Sequence, residues 1–103
     1  MILRSWSARA TMDGAERYVR YFQESLLGTL RRFEGHRGAM VLTRDAGDEV
    51  EVTVVTLWDS LEAIRRFAGP EPTVAVVEEE ARAMLLRFDG HVTHAVVRLE
   101  ARS

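Results

Sequence analysis

The chain has 103 residues, 47% hydrophobic and 29% charged, which suits one folded domain spanning residues 1–103 with a single core. Its formal net charge of −2 leaves no basic footprint for nucleic acid, and all 14 basic residues are arginine, so no lysine is present to act as Schiff base or general base. The absence of cysteine excludes disulfides, iron–sulfur clusters and thiolate metal sites. No apolar run approaches the roughly 20 residues that cross a bilayer, and Met1–Trp6 is too short and too soon polar for a signal peptide. A cytoplasmic protein with no membrane or nucleic-acid partner is the expectation.

Ile2 to Ala10 reads as a first strand. Asp13, with Glu16 three residues on, is expected to cap a long helix. Ala15, Tyr18, Val19, Phe22, Leu26, Leu30 and Phe33 recur at three- and four-residue spacing, one buried stripe over about five turns. Gly35 and Gly38 end that helix, Ala39 to Arg44 forms a second strand, and Asp45-Ala46-Gly47-Asp48 turns the chain into a third strand, Val50 to Trp58. Asp59 and Glu62 supply a second capping pattern for a short helix, Leu61 to Ala68, which Gly69 and Pro70 stop. Beyond Pro70-Glu71-Pro72, the placement of Val77, Ala81, Leu85 and Phe88 on one face predicts a helix over Val76 to Arg87. Asp89-Gly90 is a turn and His91 to Leu99 the last strand. The order βαββααβ is an α+β, ferredoxin-like arrangement with a four-stranded antiparallel sheet and a broken second helix.

Both faces of that sheet are apolar. In the third strand Val50, Val52, Val54 and Trp58 share one parity, while Val55 and Leu57 lie on the other. In the last strand Val92 and Val96 oppose Ala95, Val97 and Leu99. Helices cover only one face, so a second copy of the sheet is the economical cover for the other, giving a homodimer through the sheet face.

Few side chains carry chemistry. His94 sits mid-strand among valines; it is either a proton acceptor for a phenol or a half-buried histidine hydrogen-bonded to a neighbour. His91 points to the opposite face, so the two cannot chelate one metal, and no other His/Asp/Glu spacing suggests a metal site. His36, in a glycine-rich turn, reads as solvated. Trp6 and Trp58, near strand ends, either wall a flat aromatic ligand or anchor packing; Phe22 and Phe67 read as core with a share in a pocket wall. No Ser-His-Asp order, phosphate loop or dinucleotide fingerprint occurs, so no cofactor is expected.

Trp6, the Gly35-His36-Arg37-Gly38 turn, Leu57-Trp58-Asp59-Ser60, Phe67-Ala68-Gly69 and Val92-Thr93-His94 together resemble the antibiotic biosynthesis monooxygenase family of the dimeric α/β barrel superfamily. The haem-degrading relatives use an asparagine, a tryptophan and a histidine ligand where this chain has Ser7, Phe67 and Val77. Valine cannot bind iron, so the resemblance points instead to the cofactor-free branch, which oxidises phenolic polyketides to quinones with the substrate as reductant. It also implies that Ser7 and Arg9, of one parity on the first strand, lie on the ligand-bearing face. There Arg9 either offsets an oxyanion or is a surface arginine. The implied function is oxidation of a small aromatic molecule; the alternative is a non-catalytic small-molecule-binding or dimerisation module on the same scaffold.

Overall fold

The computed structural model describes residues 1–103. β1 (Ile2–Ala10) is the centre of the sheet. It runs antiparallel to β3 (Glu49–Trp58) over its whole length, from Ile2 opposite Trp58 to Ala10 opposite Val50. β2 (His36–Ala46) pairs with the far edge of β3 through a hairpin, with a bulge between His36 and Gly38. The remaining edge of β1 is shared by two short segments. β4 (Arg87–Phe88) lies against Ala8 and Arg9, and β5 (Thr93–Val96) against Ile2 to Ser5. The sheet is therefore antiparallel and ferredoxin-like, with its fourth position filled by two strands instead of one continuous strand from His91 to Leu99.

The break has a local cause. The Asp89 amide donates to the Ser7 carbonyl at 3.0 Å, fixing one end to β1. Gly90 and Val92 then turn their backbone to Ala75 and Thr73, at 2.9 and 2.8 Å, and Val74 bridges to His91. The same contacts correct the helix expected over Val76 to Arg87. Val74 and Ala75 are already engaged, Val76 and Val77 are β-branched and Glu78 is extended, so only one helical turn forms, α4 (Glu79–Arg82).

The first helix is α1 (Met12–Tyr21), followed without a break by a π-helical turn, Phe22–Leu26, and by α2 (Leu27–Leu30). Its N-cap is Thr11, whose hydroxyl accepts from the Gly14 amide at 3.0 Å. Asp13, the expected cap, sits inside the first turn beside Arg17. Val19 is 38% exposed, and Tyr21 takes its place in the stripe. The cap of α3 (Leu61–Ala68) is also displaced, by one residue where that of α1 is displaced by two: Ser60 accepts from the Ala63 amide at 3.1 Å. That leaves Asp59 free to receive both Arg37 Nε and Nη2, the latter at 2.8 Å. Gly35, at φ +92°, has no room for a Cβ because Ala63 crowds it, and its carbonyl accepts from the Asp59 amide at 2.8 Å. Thr11→Ala and Ser60→Ala should each cost about 1 kcal/mol, while Asp13→Ala and Asp59→Ala, at exposed positions, should stay within about 0.5 kcal/mol. Urea midpoints of the four variants check the assignment.

Even-numbered residues of β1 and β3 face the helices and odd-numbered ones face away. Trp58, Leu30, Ile64 and Val52 are the largest fully buried side chains. Trp58 donates its Nε1 to Thr56 Oγ1 at 2.9 Å and stacks on Phe67 with centroids 5.5 Å apart. No helix is long and apolar enough to cross a membrane.

Candidate active site

Between the sheet and the helices lies an apolar pocket of about 50 Å³. Its sheet wall is Arg4 and Trp6 of β1 with Val54 and Thr56 of β3; its roof includes Phe22 and Leu26 of the π-helical turn, and Phe67 of α3 closes one side. Phe22 and Leu26, four residues apart, share the helix face that lines the pocket.

Of the residues expected at a site, Trp6, Phe22 and Phe67 line this pocket. Trp6 is held by its Nε1 donating to the Asp89 carbonyl at 2.7 Å, with Tyr18 and Phe88 each 6.1 Å away ring to ring. Trp58 does not reach the cavity. It is 0% exposed, behind Phe67, and packs edge-on against His36 at 5.1 Å. His36 is consequently not the solvated residue its glycine-rich setting suggests: its Nε2 is buried without a hydrogen-bond partner.

Ser7 and Arg9 are on the other side of the sheet. Their odd parity sets them opposite Thr53 and Glu51 on the helix-free face, which corrects their expected place beside Trp6 and Phe67. Ser7 Oγ lies 3.1 Å from Thr53 Oγ1, and Arg9 pairs with Glu49 at 3.3 Å and Glu51 at 3.8 Å. Arg87 and Arg44 complete the cluster, at 2.6 Å from Glu49 and 3.1 Å from Glu51. Arg87 first, and then Arg9, holds the Glu49 carboxyl below the usual carboxylate range. A hollow of about 290 Å³ opens there. It is larger than the apolar pocket, but its cations are already paired.

The residue that sequence reasoning passed over is Arg4. It is only 5% exposed and is one of the residues lining the apolar pocket. Nη1 donates to the Pro72 carbonyl, Nη2 to the Val74 carbonyl at 3.1 Å, and Phe67 lies 5.9 Å from the guanidinium carbon. Nη1 also lies 3.1 Å from His94 Nε2. A guanidinium only donates, so His94 Nε2 accepts and its proton sits on Nδ1. His94 thus stands one hydrogen bond behind the pocket wall. Burial, and secondarily the charge of Arg4, lowers the His94 pKa; burial lowers that of His36, helped by Arg31. Burial brings Arg4 down to about 10, still protonated at neutral pH. The available signal for Arg4 was its parity: an arginine on the strand positions that also carry Ile2, Trp6 and Ala8 has to be buried.

The two histidines set a pH dependence of stability. Burial lowers both pKa values in the fold, whereas in the unfolded chain they titrate near 6.5. As pH falls through that value the unfolded state takes up protons that the fold refuses, so stability drops between about pH 7 and 5. The carboxylates paired in the fold, Glu49 and Asp59, act in the opposite range, losing their contribution only at more acidic pH. The urea midpoint should fall from pH 7 to 5, and less steeply in His36→Gln. A flat midpoint would contradict the neutral assignment.

Residues 1–79 match the family described as antibiotic biosynthesis monooxygenase. Among curated proteins no sequence matches. Solved structures similar to the whole chain include a Bacillus cereus protein assigned as an antibiotic biosynthesis monooxygenase, with TM-score 0.71, 18% identity, and coverage of 100% of this chain and 96% of that one. SnoaB, a cofactor-independent oxygenase from Streptomyces nogalater, superposes with TM-score 0.60 at 13% identity, covering 99% and 98%. The Streptomyces coelicolor monooxygenase ActVA-Orf6, solved with nanaomycin D, gives 0.58 at 15%, covering 99% and 90%. At these identities the structures share the fold; the match over residues 1–79 assigns the family. This chain belongs to the antibiotic biosynthesis monooxygenase family.

Proposed function

We propose that the protein is a cofactor-independent monooxygenase that converts an electron-rich phenol or hydroquinone, of polyketide type, to a quinone. The observation that carries the reading is the apolar pocket whose wall is a buried arginine backed by a neutral histidine. Family membership supports it, as do the fold neighbours that are a cofactor-independent oxygenase and a monooxygenase with a bound aromatic.

The chemistry asks little of the protein covalently. A phenol and one O2 become a quinone and one water, and a hydroquinone and one O2 become a hydroxyquinone and one water: one oxygen atom enters the ring at a C–H, the other leaves as water, and the four electrons come from the substrate. The enzyme has to strip water from the ring, favour the anion and hold it where oxygen takes an electron. Trp6, Phe22 and Phe67 supply the dry walls. His94 takes the phenolic proton at Nε2 when the substrate oxygen displaces that nitrogen from Arg4, and Arg4 then faces the phenolate. In 50 Å³ only a few waters fit, so a fused-ring substrate enters by moving the π-helical turn that carries Phe22 and Leu26. Arg9 and Ser7, on the far sheet face, have no part in this step.

Oxygen uptake by metal- and flavin-free protein with a panel of polycyclic hydroquinones tests the proposal. A hydroxyquinone carrying one new oxygen atom, formed at one O2 per substrate without hydrogen peroxide and above the buffer's autoxidation, is expected. Saturable binding with no uptake would favour the second reading, a non-catalytic aromatic binder, for which the small closed pocket and the engaged His94 Nε2 speak.

We also propose a homodimer through the helix-free sheet face. Leu3, Val55 and Leu57 lie there with Met40 and Leu42, which are 52% and 46% exposed. A similar fold is that of a dimeric ferredoxin-like protein from an uncultured marine organism. Covering the face should remove on the order of 800 Å² per partner. Light scattering at micromolar concentration should give about twice the chain mass, and Leu42→Glu should weaken association by about tenfold or more. A wild-type monomer would remove the proposal.

A further inference from the structure

Exposed or half-exposed arginines each have a carboxylate in the sheet-face cluster and at the α3 cap: Arg9 and Arg87 with Glu49, Arg44 with Glu51, Arg37 with Asp59. The buried Arg4 takes part in no ion pair. It is held only by neutral acceptors, the Pro72 and Val74 carbonyls and His94 Nε2, and its Nε donates to no protein group. A desolvated cation without a counter-charge is costly to retain. Here it also borders the cavity: Arg4 lines a pocket whose other walls are Trp6, Tyr18, Phe22, Phe67, Thr56 and aliphatic side chains, and its guanidinium carbon lies 5.9 Å from the Phe67 ring. Bidentate recognition of a planar anion is what a guanidinium does best, and aromatic walls beside it fit a ring attached to that anion. A hydroquinone that stays neutral leaves the cation uncompensated until its proton is removed, whereas a ligand already anionic neutralises it on binding, in a setting where water does not compete.

We propose that the pocket selects aromatic monoanions, the anionic oxygen docking on the Arg4 guanidinium and the rings lying between Trp6 and Phe67. The anion is a carboxylate, or a phenolate acidic enough to be ionised at neutral pH. The inference rests on the pocket being the ligand cavity of the proposed function, and it narrows the substrate from aromatics in general to acidic ones.

The test is anaerobic titration calorimetry at neutral pH with two matched pairs. 2-Naphthoate is compared with 2-naphthamide, and 2,4-dinitro-1-naphtholate with 1-naphthol. Wild-type protein should bind at least one anion tenfold or more tightly than its neutral partner, and the pair that discriminates identifies carboxylate or phenolate. Arg4→Gln should abolish the preference, Arg4→Lys should retain part of it, and Arg9→Gln should keep it. Should Arg4→Gln fail to fold, the wild-type pairs and the Arg9→Gln control decide alone. Discrimination below tenfold in both pairs, no saturable binding of any of the four, or loss of the preference in Arg9→Gln would overturn the proposal. Because no turnover is involved, the two readings fail separately. An anion preference without oxygen uptake removes the monooxygenase and keeps the site; uptake from neutral hydroquinones without an anion preference does the reverse.

Discussion

Trp58→Ala is expected to cost about 3–5 kcal/mol, the largest single loss available in this fold. The indole is fully buried and ties three parts of the molecule together. It ends β3, stacks on Phe67 of α3, and meets His36 at the start of β2. Truncation would leave a cavity under the pocket and free the Thr56 hydroxyl of its donor. A domain of this size is stable by roughly 5–15 kcal/mol, so the variant should sit at the edge of folding. Trp6→Ala, at a half-buried position lining a cavity that already exists, should cost about half as much. Guanidinium denaturation compares the two. A Trp58→Ala loss below about 1 kcal/mol would show that the indole is not the anchor of the core.

The largest functional effect is expected at His94. With a substrate that is neutral when free, His94→Ala should lower kcat/KM by about 10²- to 10⁴-fold, the range of a positioned proton acceptor. Most of the loss should lie in kcat, because His94 stands behind the wall and contributes little to holding the rings. A substrate already ionised should be far less sensitive, since its proton is gone before it binds. Arg9→Ala should stay within about twofold, being an ion-paired residue on the far side of the sheet. Steady-state oxygen uptake by the two variants checks this. Equal losses in both would mean that the two sheet faces act together, contrary to the separate roles argued for them.

Much of the fold was legible because parity and punctuation agree. β1 and β3 have the expected bounds to within a residue, and α3 spans Leu61–Ala68 as its apolar spacing and Gly69 require. The caps were legible only to one or two residues. At both helices a hydroxyl and a carboxylate lie within two positions of each other, and only the three-dimensional demand of Arg37 for Asp59 leaves the cap to Ser60. The C-terminal third was read poorly because its pattern is local and its structure is not. Residues 73–75 are held by backbone bonds to residues 90–92, and β4 by pairing with Ala8 and Arg9. The π-helical turn left no mark in the periodicity. At the site, the aromatic walls Trp6, Phe22 and Phe67 were read from residue type. Arg4 was missed although its parity with Trp6 was in plain view, while Ser7 and Arg9 followed from likeness to relatives against that same parity.

A crystal of the protein soaked under argon with a hydroquinone that it oxidises would test the central claim most directly. The account predicts ring density between Trp6 and Phe67, Phe22 and Leu26 displaced outward, and an oxygen within hydrogen-bond reach of Arg4 and His94 Nε2. Density lying instead on the helix-free face, beside Ser7 and Arg9, would contradict it.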